Sequence, residues 1–379
     1  MDFDFATEQT LLREQVRQLL KEQCPIAEAR RLLNSGEEFP TDTWRTLGTL
    51  GYLGAVIPER YGGAGMGYPE LCIIAEEIGR VLAPLPFLSS VYLASELLML
   101  AGNERQKGVY LPKLASAGGV ICVGPLKGDA EPSVDAMVRY DGHRVSGRIV
   151  LMLDGDIADQ AIVVADQTAD GSSLGTSLVL VDLNNPGVSR RAVTTLDPSR
   201  RHAEVVIENV PGEILGDPGS GAHLLKLAKT RAAILLSFEQ LGGAERCLEM
   251  ARDYALQRHA FGRPIGSFQA IKHKLVDIYA RNVIARAHAY FGAWALSVGA
   301  DDLGRAAACA HIAATAAFSF AAQEAIQVHG GIGFTYEHDC HLYYRRARLL
   351  GSVLGNVLEW KEELAVILDS SHAVDPSRA

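Results

Sequence analysis

Arg258 and Phe261 stand three residues apart where a long apolar-periodic stretch gives way to Gly262 and Pro264. On a helix that spacing places both side chains on one face of the last turn, and the glycine and proline then end the helix. A guanidinium held there matches phosphate oxygens bidentately, and an adjacent ring can pack on an aromatic cofactor or its ribose. A helix C-cap with a solvated arginine and a core phenylalanine would read the same way. Farther on, Gln327 precedes Gly330, Gly331 and Gly333 in "AIQVHGGIGF". Adjacent glycines let a ligand approach the backbone and leave N–H groups free to meet an anion, though a second C-cap is the simpler alternative. Either corner alone is weak. Together, with Gln269 opening the next helix, they suggest one anionic ligand.

Three blocks of chain must position these residues. The first third has helical periodicity: Leu12, Val16, Leu19 and Leu20 follow Thr7, and Trp44 to Leu53 and Pro69 to Leu82 repeat the pattern around a glycine-rich loop, "PERYGGAGMG". From about Val120 the period falls to two, with β-branched runs split by Asp-Gly, Asn-Pro and Pro-Gly turn signals, which predicts an antiparallel β domain. No GxGxxG follows a strand, so a Rossmann unit lacks support. After Gly221 helical periodicity returns, with helices to about His259, from Phe268 to about Val298, from Asp302 to about Val328 and near Asn356 to Leu368. The expectation is an α+β chain with a helical domain at 1–118, a β domain at 119–220 and a C-terminal helical bundle at 221–379.

Composition narrows the partners. Thirty-six basic against 45 acidic side chains give a net charge of -9, without a basic block that could follow a phosphate backbone, so nucleic acid is not expected. Six scattered cysteines form no C-x-x-C pair, which reads as reduced thiols in a cytoplasmic protein. The acidic, helix-like start is unlike a signal peptide, and the uncharged run Ala306 to Phe320 reads as too weakly apolar to span a bilayer. His329, His338 and His341 have no companions at metal-ligand spacing, so no metal is expected.

Over essentially its whole length the chain resembles the acyl-CoA dehydrogenase family. The resemblance is carried by the helix–strand–helix order and by "PERYGGAGMG", "LDPSRR", "YALQRHAFGRPIGSFQAIKHKLVDI" and "QVHGGIGFTYEHD". It implies the fold of that family, with a C-terminal four-helix bundle that builds a tetramer. It further implies FAD as cofactor, with Arg258, Phe261, Gln269, Gln327, Gly330 and Gly331 serving the pyrophosphate and adenosine half of the FAD of a neighbouring subunit. The implied reaction is α,β-dehydrogenation of an acyl-CoA thioester, with electron-transfer flavoprotein as electron acceptor. In it a glutamate removes the α-proton while the β-hydrogen leaves as hydride to the flavin.

The chain departs from the family where that base should be. The usual glutamate lies nine residues beyond the arginine matched by Arg345, and Leu354 stands there. A minority of members place it directly before the arginine matched by Arg231, where this chain has Thr230. Flavin-ring contacts fail to match as well: "VGPLKGDAEP" replaces the family's Thr-Glu-Pro and Gly-Ser-Asp contacts, Val150 stands for a tryptophan and Met152 for a threonine. Glu239, beside the apolar Phe238 and Leu241, is a weak substitute base, with a structural role inside the bundle as the alternative. Glu337 and Asp339 read as carboxylates starting a helix. Arg231 reads as a substrate contact or as an intra-bundle salt bridge. The resemblance therefore suggests a base-less subunit that completes a paralogous partner's site in a heterotetramer, as in two-chain steroid-degrading members. A homomeric acyl-CoA flavoenzyme of altered chemistry, such as desulfination, or a non-catalytic scaffold are the rival readings.

Overall fold

In a computed structural model of the chain, residues 7–35, 39–126, 138–169 and 172–373 are described. Helices come first: α1 (Thr7–Gln23), α2 (Ile26–Ser35), α3 (Thr41–Thr49), α4 (Tyr68–Arg80), α5 (Ser95–Ala101) and α6 (Glu104–Ala115). Seven strands follow: β1 (Ile121–Gly124), β2 (Arg139–Tyr140), β3 (Arg144–Leu153), β4 (Gln160–Ala169), β5 (Ser172–Asp182), β6 (Val188–Ala192) and β7 (His202–Leu215). Helices then return as α7 (Gly221–Gln257), α8 (Gln269–Val298), α9 (Leu303–His329), α10 (Cys340–Leu350) and α11 (Val357–Ala373), with a two-residue hairpin β8–β9 (His259–Ala260, Arg263–Pro264) after α7.

The strands close on themselves. β4 pairs with β5, β5 with β7, β7 with β3, β3 with β2 and β2 again with β4, so five strands form a ring. Four of these pairings are antiparallel, whereas β2 runs parallel to β4. A wholly antiparallel domain was the expectation, and ring geometry overturns it: an odd number of strands cannot alternate direction all the way round. β1, on the same edge of β4 as β2, shares that parallel sense. The Asp-Gly signal does make the β2–β3 turn, where Asp141 Oδ1 accepts from the backbone N–H groups of His143 and Arg144 at 2.9 and 2.7 Å. Inside the ring the period-two positions Val145, Ile149, Val163, Val179, Val181, Val205 and Ile207 are buried together.

Contacts divide the chain into two compact units that interleave in sequence. One comprises Arg31–Gly67 and Pro84–Ala232 and holds the barrel. In it a fully buried π-helical segment, Phe87–Ala94, leads into α5. Ser90 Oγ ties that segment to β1, donating to the Ile121 carbonyl and accepting from the Ile121 N–H, both at 3.1 Å. The other unit comprises Met1–Arg30, Tyr68–Ala83 and Ala233–Ala379. There α4 packs on α1 and α8, and α9 packs on α8, α10 and α11. Buried Glu76 joins three helices by accepting from Arg13 and Arg286 at 3.0 and 2.9 Å, and buried Glu77 accepts from Nε and Nη2 of Arg17. Gly242 and Gly243 survive inside α7 because a Cβ on Gly242 would lie 1.9 Å from the Glu76 carbonyl oxygen and one on Gly243 2.4 Å from the Phe318 ring.

The run Ala306 to Phe320 lies inside a longer apolar stretch, Leu303–Phe334. By length and mean hydropathy it is apolar enough to cross a membrane, because Ile, Val and Phe add to its alanines. Yet 61% of its most apolar window is buried among its neighbours, which is the setting of a core helix.

Candidate active site

The helix α7 stops at Gln257, one residue before Arg258, and this changes how the first corner is built. Arg258 donates its N–H to the Tyr254 carbonyl at 2.8 Å, and its own carbonyl accepts from Ile265 at 2.8 Å. Between them the chain makes a hairpin whose two central residues, Phe261 and Gly262, have φ of 53° and 79°. That pair of positive φ values belongs to a hairpin turn whose twist matches its strands. Phe261 therefore does not share a helical face with Arg258, as the three-residue spacing predicted. It sits at the hairpin tip, 95% exposed, edge-on to Phe268 with ring centroids 6.2 Å apart. A bulky residue in the left-handed region is strained, and one held there in solvent is a binding candidate rather than a packing residue.

The second corner ends α9. Gly330 has φ 61° and ψ −136°, and its N–H bonds back to the Gln327 and Ile326 carbonyls, so a glycine is needed there by conformation. Gly333 is needed by packing, because a Cβ would approach the Ile326 carbonyl oxygen to 2.7 Å. Gly331 is needed by neither: its φ is not positive, and a Cβ would meet nothing within 4 Å. It faces a groove of about 430 Å³ lined by Arg258, Tyr254, His329, Gly330, Gly331 and Ile332, among others. The fold thus brings Arg258, Gly330 and Gly331 to one groove. Gln269 and Gln327 are exposed but do not line it, and neither does Phe261. His329 is buried under the groove, stacked on Tyr254 at 4.4 Å, with Nδ1 2.7 Å from the Ala325 carbonyl. Burial pushes its pKa below the ordinary histidine value, so the ring is neutral near pH 7.

The expected base positions are both occupied by packing. Leu354 is buried at 1% exposure in the turn before α11. Asn356, two residues on, caps that helix: its Oδ1 accepts from the N–H groups of Leu358 and Glu359 at 2.8 and 3.1 Å. Thr230 is buried and turns its hydroxyl onto the Lys226 carbonyl of its own helix, at 2.9 Å. Arg231 pairs with Glu96, a fully buried carboxylate on α5, at 3.2 Å. Glu239 is fully buried with Arg346 Nη1 3.9 Å from its carboxylate, and Arg346, equally buried, donates to the Leu82 and Ala83 carbonyls. That surrounding suits a core counter-ion.

Around the barrel, a register shift between Ile149 and Met152 makes a bulge that turns both Val150 and Leu151 outward, 53% exposed each, while Met152 is buried at 1%. Of "VGPLKGDAEP", residues 127–132 lie outside the described residues. Asp339 stands at the N-cap position of α10 as expected, but its side chain makes no cap bond: it pairs with Arg30 at 2.5 Å, the guanidinium also donating to the Glu337 carbonyl at 3.1 Å.

Two groupings escaped sequence reasoning. "LDPSRR" builds a buried polar knot, in which Asp154 accepts from Ser89 Oγ at 2.6 Å and lies 3.4 Å from Arg200. Ser89 and Asp154 are 65 residues apart, beyond any local signal. The histidines also have a companion that was overlooked. His329, His338 and Cys340 offer ligand atoms all within 4.8 Å of one another, whereas His341 stacks apart on Tyr336. The H-x-C spacing of His338 and Cys340 was the available clue.

Known proteins resemble this chain at both ends and throughout. Residues 6–118 match the acyl-CoA dehydrogenase N-terminal domain, and residues 219–356 match the acyl-CoA dehydrogenase C-terminal domain. Acyl-CoA dehydrogenase IpdE2 of Mycobacterium tuberculosis is 36% identical over 349 residues, covering 90% of this chain and 91% of the relative. Among solved structures, the ChsE4–ChsE5 complex from Mycobacterium tuberculosis superposes with a TM-score of 0.86 at 27% identity, over 97% of this chain and 99% of its own. The Tcur3481–Tcur3483 steroid acyl-CoA dehydrogenase gives a TM-score of 0.85 at 27% identity, with the same coverage of both chains.

Proposed function

The chain belongs to the acyl-CoA dehydrogenase family, and from that premise we propose that it is the subunit of a heteromeric dehydrogenase that lacks its own catalytic base. Family members are FAD-binding oxidoreductases acting on CH–CH groups. The chemistry FAD would supply when bound is that of a hydride acceptor for the β-hydrogen of an acyl-CoA thioester whose α-proton a carboxylate removes. What this chain supplies to such a site is binding. The Arg258 guanidinium and the backbone of Gly330 and Gly331 hold the phosphate end of a dinucleotide, and the positive charge they present comes from Arg258, since neutral His329 adds none. Space left where a Gly331 side chain would stand suits a phosphate pressed against the backbone.

The observation that carries the reading is one-sidedness. Arg258, Gly330 and Gly331 line one groove, whereas both side chains at the expected base positions, Leu354 and Thr230, are taken up by packing and by a hydrogen bond to the helix. Glu239 is held against buried Arg346 and is not offered as a base. Named steroid and two-chain relatives support a paralogous partner and a CoA thioester of steroid origin as substrate class. Electron-transfer flavoprotein is the acceptor we expect, in the cytoplasm. Co-expression with a paralogous, glutamate-bearing subunit tests the proposal: flavin colour and acyl-CoA-dependent reduction of an artificial acceptor should arise only in the pair. An active homomer would refute it, and a flavin-loaded homomer without turnover would favour altered chemistry.

A further inference from the structure

The geometry points to a metal site that the dehydrogenase reading leaves unused: His329, His338 and Cys340 form a three-ligand cluster for a soft divalent cation, zinc foremost. Their ligand atoms lie within 4.8 Å of one another, Cys340 Sγ is 3.5 Å from His329 Nδ1, and the two imidazole centroids are 4.4 Å apart. Zinc–nitrogen and zinc–sulfur bonds imply tetrahedral edges of about 3.3 to 3.6 Å, so side-chain shifts of ~1 Å close the set around an ion. The donors are two imidazoles and a thiol, with no carboxylate among them. That chemistry selects zinc-like ions over magnesium or calcium.

The surroundings fit a ligand set. Cys340 and His329 are buried at 0% and 4% exposure, so they are already placed, while half-buried His338 gives the ion a way in. His329 Nδ1, the nitrogen that faces Cys340 Sγ, also lies 2.7 Å from the Ala325 carbonyl, a contact that ligation through this nitrogen would displace. The weak 3.3 Å bond from the Cys340 N–H to His338 Nδ1 is one an ion can displace. Arg30, the cation beside this segment, is neutralised by Asp339 at 2.5 Å. Binding replaces the Cys340 thiol proton, which goes to buffer, by a metal–sulfur bond. The ion then keeps one net positive charge and a fourth position for water or an anion. Because His329 also lines the groove beside Gly331, occupancy would fix the floor of that corner.

Cobalt(II) titration of the full-length, tag-free, chelator-treated protein tests the site. One cobalt per chain should bind, with a thiolate-to-cobalt charge-transfer band and the intense visible bands of four-coordinate cobalt, and zinc should displace it. Cys340→Ser should abolish the charge-transfer band, and His338→Ala should weaken binding by about tenfold or more. His341→Ala, next in sequence but outside the cluster, should change neither. If Cys340→Ser fails to fold, His338→Ala carries the comparison, since that ring is half-buried. The inference is overturned if the band survives in Cys340→Ser, if His338→Ala binds as tightly as the parent, or if micromolar cobalt does not bind.

Discussion

Changing Gly331 to alanine separates a ligand-binding glycine from a structural one. Its neighbours set the contrast. Gly330 occupies φ 61°, ψ −136°, where an alanine costs ~1–3 kcal/mol. An alanine at Gly333 would press its Cβ to 2.7 Å from the Ile326 carbonyl oxygen. At Gly331 a Cβ meets no protein atom within 4 Å and the backbone is ordinary, so Gly331→Ala should stabilise the free chain by about 0.4–1 kcal/mol through the unfolded state. The same methyl would stand where a phosphate approaches. Overpacking of that kind costs ~1–3 kcal/mol, or roughly 5- to 150-fold in affinity. Urea denaturation of the chain and FAD retention in the co-expressed complex read the two effects separately. Unchanged flavin affinity, or a loss of chain stability, would refute the assignment of Gly331 to the ligand.

Glu239→Ala should destabilise the chain by about 3–5 kcal/mol, measured by urea denaturation, because it strips a buried arginine of its counter-ion; a loss of activity with stability intact would instead mark Glu239 as a base. Leu354→Ala should cost ~2–5 kcal/mol by leaving a cavity, and Asn356→Ala about 1 kcal/mol by uncapping α11, in the same assay. Stability should fall as pH drops below ~6.5. The reason is that His202, His329, His338 and His341 all have folded pKa values pushed below the ordinary one, chiefly by burial, so the unfolded chain takes up protons first. Melting temperature against pH checks the sign, and a chain that gains stability on acidification below that point would contradict it.

The sequence carried the parts of this molecule that are local. Asp141-Gly142 made the hairpin it signalled, and the long helices after Gly221 end within a few residues of their expected limits. That Leu354 and Thr230 stand where the resemblance implies a glutamate is likewise legible without coordinates. Phe261 was misplaced because R-x-x-F followed by glycine fits a helical turn and a hairpin equally, and only the positive φ at Phe261 decides. Barrel closure was out of reach because the β2–β4 pairing is set by the whole ring. Arg231–Glu96, separated by 135 residues, and the gathering of His329 with Cys340 depend on tertiary packing in the same way.

The central claim is that Arg258, with the glycine corner, serves a flavin whose chemistry is completed by another chain. FAD per chain in the purified co-expressed complex, before and after Arg258→Ala in this chain alone, tests it most directly. The account predicts one FAD for every two chains, lost with activity in the variant although the partner is untouched. One FAD on every chain, or full flavin content in the variant, would contradict it.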